Sequence, residues 1–146
     1  MRPNSTATVA EKREMSEGHS SVSMVVIDDN PLSLEFVSTA LARPGLEIFT
    51  TTKPEDGLIL IAIHHPQVVL SDVVMPGING LDILQRVKQL DPAIDVVLMS
   101  AHETGAEGRK AIQQAADYLR KPIALSVLRE RVGRLIDKHM AHARLA

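Results

Sequence analysis

The sequence predicts an α/β fold: a doubly wound, five-stranded parallel sheet in the order 2-1-3-4-5, with five helices. Three observations carry this. From residue 23 onward, short β-branched runs alternate with helix-like stretches, as in repeated strand–helix units. The first of them, Met24-Val25-Val26-Ile27, shows no apolar–polar alternation, as expected of a strand buried on both faces rather than on one. Four of them end on Asp28-Asp29, Asp72, Ser100 and Lys121, and in such sheets ligands gather beyond the carboxyl ends of the strands.

Met24-Val25-Val26-Ile27 is the first strand, stopped by Asp28-Asp29. Asn30 suits the N-cap of the helix that follows, and Pro31 its first position. Leu34, Val37 and Leu41 fall on one face of that helix, and Pro44-Gly45 ends the run. Ile48-Phe49-Thr50-Thr51 is the second strand. Pro54 opens a helix towards His64, although its apolar run suits a strand equally well by periodicity. Length and the proline decide for helix. Val68-Val69-Leu70-Ser71 is the third strand and ends at Asp72. A loop from Val73 to Asn79 carries Pro76 and Gly77, with Met75 as a packing residue.

A helix over Leu81 to Leu90 is broken by Asp91-Pro92. Val96-Val97-Leu98-Met99 forms the fourth strand and ends at Ser100. Thr104 to Ala115 is a helix of small and polar residues. Asp117-Tyr118-Leu119 is a short fifth strand, closed by Lys121-Pro122. A last amphipathic helix, Leu125 to about Met140, turns Leu128, Val132, Leu135 and Ile136 inward. Its basic residues Arg129, Arg131, Arg134 and Lys138 read as a solvated face, and His64-His65 as a helix end where cations suit the dipole.

A chain of 146 residues has room for one domain of ordinary size, which buries roughly two-thirds of its unfolded surface. The absence of cysteine excludes disulfides, thiolate metal sites and cysteine nucleophiles. A formal net charge of −2 argues against direct nucleic-acid binding, which calls for a basic stripe. No Trp, two Phe and one Tyr leave no platform for stacking bases. The longest apolar run, Leu58 to Ile63, is far short of a membrane span, and no export signal opens the chain. A cytoplasmic protein is expected. Residues 1–22 read as a disordered tail, 23–141 as the folded domain and 142–146 as a C-terminal tail. In the first stretch three cations (Arg2, Lys12, Arg13) balance three acids (Glu11, Glu14, Glu17) amid frequent Ser and Thr, too polar to offset its ordering entropy. A true start at Met15 or Met24 explains it equally well.

With right-handed crossovers, strands 1 and 3 lie side by side at the switch point. Asp28, Asp29 and Asp72 then converge, and Ser100 and Lys121 close the pocket from strands 4 and 5. Three carboxylates so close repel, so protons or a cation must join them. Mg²⁺ fits, since it prefers oxygen ligands and typically takes one or two carboxylates plus waters and a phosphate. Asp29 and Asp72 would bind it directly, Asp28 through water, and the Val74 carbonyl would add a ligand. Asp72, at the centre, is the candidate nucleophile, giving an aspartyl phosphate. Lys121 would balance charge on the phosphoryl oxygens. Drawing the Ser100 hydroxyl inward would vacate space for Tyr118, the only aromatic on the last strand. His102, two residues past Ser100, would lie at the pocket mouth.

Val25-Val26-Ile27-Asp28-Asp29-Asn30, the run Asp72 to Gly80, Met99-Ser100-Ala101 and Asp117 to Pro122 together resemble a response-regulator receiver domain of two-component, phosphorelay signal transduction. The match covers residue 23 to about 140. The resemblance implies a chemotaxis-regulator-like fold and a phosphoprotein whose Asp72 receives a phosphoryl group from a histidine kinase or phosphotransfer protein. It implies Mg²⁺ at Asp28, Asp29 and Asp72, and a switch through Ser100 and Tyr118. It also implies an output surface of helix 4, strand 5 and helix 5 that meets an effector protein or output domain, and a cis Lys121–Pro122 bond. On this face a weak homodimer is expected. Departures are small: Ser100 stands where Thr is commoner, and Ala115 where Gly is frequent. No recognisable output domain follows the last helix, so a stand-alone regulator and a receiver excised from a longer protein both fit.

Such a module would not be an enzyme beyond catalysing its own phosphorylation and dephosphorylation. The main rival is a Mg²⁺-dependent phosphohydrolase working through an aspartyl phosphate. Those enzymes need a second acid two residues after the nucleophile, and position 74 is Val. A flavin- or nucleotide-binding domain would need a Gly- or Ser/Thr-rich loop after strand 1, where Asp28-Asp29-Asn30-Pro31 stands instead.

Overall fold

The structure, a computed structural model, describes residues 21–102 and 105–145. All but the end of the stretch expected as an N-terminal tail, and Thr104, where the fourth helix was expected to start, lie outside them. Strands and helices alternate along the chain: β1 (Val22–Ile27), α1 (Pro31–Leu41), β2 (Leu46–Thr51), α2 (Pro54–His64), β3 (Val68–Asp72), α3 (Gly80–Leu90), β4 (Asp95–Ser100), α4 (Ala106–Ile112), β5 (Asp117–Arg120) and α5 (Leu125–Leu145). The sheet has five parallel strands in the order β2-β1-β3-β4-β5, the expected doubly wound topology. Register sets the carboxyl ends level: Ile27 lies beside Ser71, Asp72 beside Met99 and Ser100 beside Arg120.

The period of two in a strand divides the core into two apolar layers. Met24, Val26, Leu70, Val97 and Met99 point to the side covered by α1 and α5, where Leu34, Val37, Leu128, Val132 and Ile136 meet them. Val25, Ile27, Val69, Val96 and Leu98 point to the opposite side, against Ile61 of α2 and Ile83, Leu84 and Val87 of α3. Each such fully buried aliphatic side chain contributes about 1.5–3 kcal/mol. These two layers hold the strand ends rigid, and the chemistry stands on those ends.

Local signals start the helices where expected. The Asn30 side chain accepts the Leu32 N–H at 3.0 Å, with Pro31 at the first helical position. Asn79 and Asp82 form a reciprocal capping box at α3. Pro54 opens α2, and the chain leaves that helix through His65 at φ 46°.

Boundaries differ in three places. β1, β2 and β4 begin one or two residues earlier than expected, since ladder hydrogen bonds extend to Val22, Leu46 and Asp95. α4 is shorter, Ala106–Ile112 rather than Thr104 to Ala115, because the chain tightens where the Gln114 and Ala115 N–H groups donate to the carbonyls of Ala111 and Ile112. α5 continues past Met140 to Leu145, through most of the stretch expected as a C-terminal tail. Its end is held to β4: Lys138 Nζ and His139 Nε2 each lie 2.7 Å from one Asp95 carboxylate oxygen, and Met140 is buried.

Burial alone would raise the Asp95 carboxyl, but hydrogen bonds from Lys138 and His139 and their attraction outweigh it and hold it below its ordinary value. A depressed carboxyl stabilises the fold above its unfolded value and loses that contribution as pH falls through the lowered one. Asp95→Asn is therefore expected to melt lower than the native protein at neutral pH, with the gap closing in strong acid. Thermal melts across pH check it.

Candidate functional site

The carboxyl ends of β1, β3 and β5 bring four charged side chains together. Asp28, Asp29 and Asp72 each offer a carboxylate oxygen, and these oxygens all lie within 4.8 Å of one another. Lys121, just past β5, reaches back across the sheet to Asp28 Oδ2 at 2.7 Å and Asp72 Oδ2 at 3.2 Å. Asp28 is wholly buried and Asp72 nearly so, while Asp29 is exposed. Such an all-oxygen donor set could hold a hard divalent cation.

The roles within the cluster are unequal. Asp28 is spoken for on both oxygens, since Oδ1 accepts the Asn30 N–H at 3.0 Å while Oδ2 faces Lys121. Asp29, exposed beside it, is open to solvent. The Lys121–Pro122 bond is cis, as the resemblance implied.

Burial pushes the Asp72 carboxyl above its ordinary value; Lys121 pulls it down, Asp28 and Asp29 push it up, and the net direction is up. Burial would lower the Lys121 ammonium, but its hydrogen bond and attraction to Asp28, and then to Asp72, leave it above its ordinary value. The lone ammonium is thus outnumbered by three acids, a net negative pocket that calls for a further cation.

Ser100 ends β4 and is buried, but its hydroxyl bonds its own loop. It donates to the His102 carbonyl at 3.0 Å and accepts the His102 N–H at 3.0 Å. Tyr118 lies half-buried on β5, and its hydroxyl donates to that same His102 carbonyl at 3.1 Å. The sequence places His102 at the pocket mouth; its backbone carbonyl is what joins Ser100 to Tyr118. No pattern in the sequence could have signalled that.

The loop after β3 is pinned at both ends. Val73 N–H donates to the Met99 carbonyl and Gly80 N–H to the Val73 carbonyl, each at 2.8 Å. Met75 packs into the core as expected, whereas the Val74 side chain is exposed. Gly77 turns the loop at φ 81°, a conformation that glycine adopts without strain.

An open, largely apolar cavity of about 430 Å³ adjoins the carboxylates. Leu32 and Phe36 of α1 line it with Ala101, Pro122 and Ile123, and Asp28 and Lys121 form its polar edge. Leu32 is 74% exposed and Phe36 42% exposed. Both lie off the buried face of α1, so its apolar periodicity does not mark them.

A family model, the response regulator receiver domain, matches residues 24–133. The chain belongs to this family, the receiver domains of two-component systems. It is 36% identical over 118 residues to the DNA-binding transcriptional regulator NtrC of Salmonella typhimurium, covering 80% of this chain and 24% of NtrC. It is 29% identical over 108 residues to the sensor histidine kinase RcsC of Escherichia coli, covering 73% of this chain and 11% of RcsC. The chain thus spans about a quarter, or less, of these curated relatives. Among solved structures, a response regulator receiver domain protein from Clostridium thermocellum superposes with a TM-score of 0.72 at 28% identity, covering 80% of this chain and 95% of that one. Receiver domains are signalling switches rather than dedicated enzymes. No helix among the described residues is long and apolar enough to cross a membrane.

Proposed function

We propose that this chain is a phosphorylation-activated switch whose Asp72 takes a phosphoryl group from a phosphohistidine on a histidine kinase or phosphotransfer protein. The observation that carries this reading is the Asp72 carboxylate held beside Lys121 and within 4.8 Å of two further carboxylates. An Asp72 oxygen bonds to phosphorus as the phosphorus–nitrogen bond of the donor breaks, and the imidazole nitrogen keeps the electron pair. Lys121 meets the charge on the phosphoryl oxygens. Mg²⁺, held by Asp29, Asp72 and the Val74 carbonyl, with Asp28 acting through water, would supply further neutralisation of those oxygens.

The doubly bonded Asp28 supports its indirect role. The phosphoryl group then offers Ser100 a stronger acceptor than the His102 carbonyl. When Ser100 turns to it, the carbonyl that also holds Tyr118 is released from one of its two donors. Tyr118 and the loop it anchors thereby carry the local charge event to the face of α4, β5 and α5. That face would meet an effector or output domain, or pair weakly with a second phosphorylated copy.

Intact-mass measurement of the full chain after Mg²⁺ and acetyl phosphate tests this. One phosphoryl adduct with no turnover of p-nitrophenyl phosphate is expected; steady turnover of that substrate would favour a phosphohydrolase instead. Val at position 74, and exposed, offers no general acid for that chemistry.

The apolar cavity beside Lys121 supports docking of a protein phosphodonor through Leu32 and Phe36. Leu32→Asp is expected to slow transfer from a phosphorylated protein donor at least about tenfold, the loss of one buried apolar anchor. Labelling by acetyl phosphate should be unchanged. Equal slowing with both donors would place Leu32 in the chemistry rather than in docking.

A further inference from the structure

We infer that the outward face of α2 is a contact surface for a second copy of this chain, paired antiparallel about a two-fold axis. Pro54, Gly57 and Ile61 fix the buried side of this helix. Opposite them stand Ile59 and Ile63, one helical turn apart, 55% and 68% exposed. A helix apolar on its outer face as well as its inner one belongs between two partners, and the sheet covers only one side.

The polar groups at the ends of the helix select the partner. Exposed Glu55 and Asp56 lie in its first turn, and exposed His64 and His65 close its other end. Parallel pairing of two such helices sets acid against acid. The His64 ring stacks on Phe49 of its own chain, whereas antiparallel pairing sets the isoleucines of one copy against those of the other and brings Asp56 of each towards the His65 imidazole of its partner. The face is therefore complementary to itself, which is what a two-fold contact requires. Its stripe is small against the roughly 1,200–2,000 Å² of a stable interface, so the pairing is weak. It needs neither phosphoryl group nor metal, unlike pairing through α4, β5 and α5.

Sedimentation of the full chain from micromolar to millimolar concentration, without Mg²⁺ or phosphodonor, tests it. Reversible dimerisation is expected, weakened about tenfold or more by Ile63→Asp. That residue is exposed, so the variant should keep the native circular dichroism and melting temperature. Asp56→Lys should also weaken the dimer, and adding His65→Asp should restore it; Asp tolerates the positive φ at that position. A monomer up to millimolar concentration overturns the inference. So does a dimer that Ile63→Asp leaves intact, as pairing through the edge strand β2 would.

Discussion

Asp72→Asn is expected to take up no phosphoryl group and, without a divalent cation, to melt higher than the native protein at neutral pH. The first effect follows from removing the nucleophile, since an amide neither attacks phosphorus readily nor holds an acyl phosphate. The second follows from the direction in which the carboxyl is displaced. Burial, with Asp28 and Asp29 nearby, raises Asp72 above its unfolded value in spite of Lys121. A raised carboxyl binds its proton more tightly in the folded state, so stability falls as pH rises from the unfolded value through the raised one. At neutral pH the buried charge is a cost, and the neutral amide removes it. A higher Tm, by a few degrees, is expected. The gain should vanish in acid, where the native carboxyl is already protonated, and it should shrink as Mg²⁺ stabilises the native protein alone. Melts of both proteins across pH, with and without Mg²⁺, measure all of this.

Gly80→Ala is expected to destabilise the protein by about 3 kcal/mol, the upper end of what an overpacked site costs, although alanine is the better helix former. A Cβ at position 80 would collide with the Asp72 carbonyl oxygen and lie 2.8 Å from the Val73 Cα. Both are backbone atoms, so no rotamer change relieves the contact. The strand end must shift, and with it the carboxylate. Denaturant unfolding should show the loss, and the phosphorylation rate should fall with it. Gly57→Ala is the contrast: there the close atoms are Cδ1 and Cγ1 of the Ile27 side chain rather than backbone, so a smaller loss is expected.

The fold was legible because the physics that builds it is local and periodic. Unbroken β-branched runs such as Val68–Leu70 mark strands with two covered faces, and Asn30-Pro31 and Pro54 mark helix starts. The strand order then followed from right-handed crossovers together with the common order for five strands. The charged cluster was legible for a related reason: topology alone levels the strand ends, so Asp28, Asp72 and Lys121 had to meet. What stayed hidden depends on side-chain direction and long-range partners. The hold of Asp95 on Lys138 and His139 joins residues over forty positions apart. The shared His102 carbonyl is a backbone atom, on which residue type leaves no mark. The closeness of Gly80 to the Asp72 carbonyl shows only when the loop is built.

The assignment of Asp72 is open to a direct chemical reading. After labelling with acetyl phosphate and Mg²⁺, borohydride reduces an aspartyl phosphate to homoserine, which peptide mapping then locates. Homoserine at position 72, and nowhere else, is the expected result. Homoserine at 28 or 29 instead, or none in a protein that carries the adduct, would contradict it.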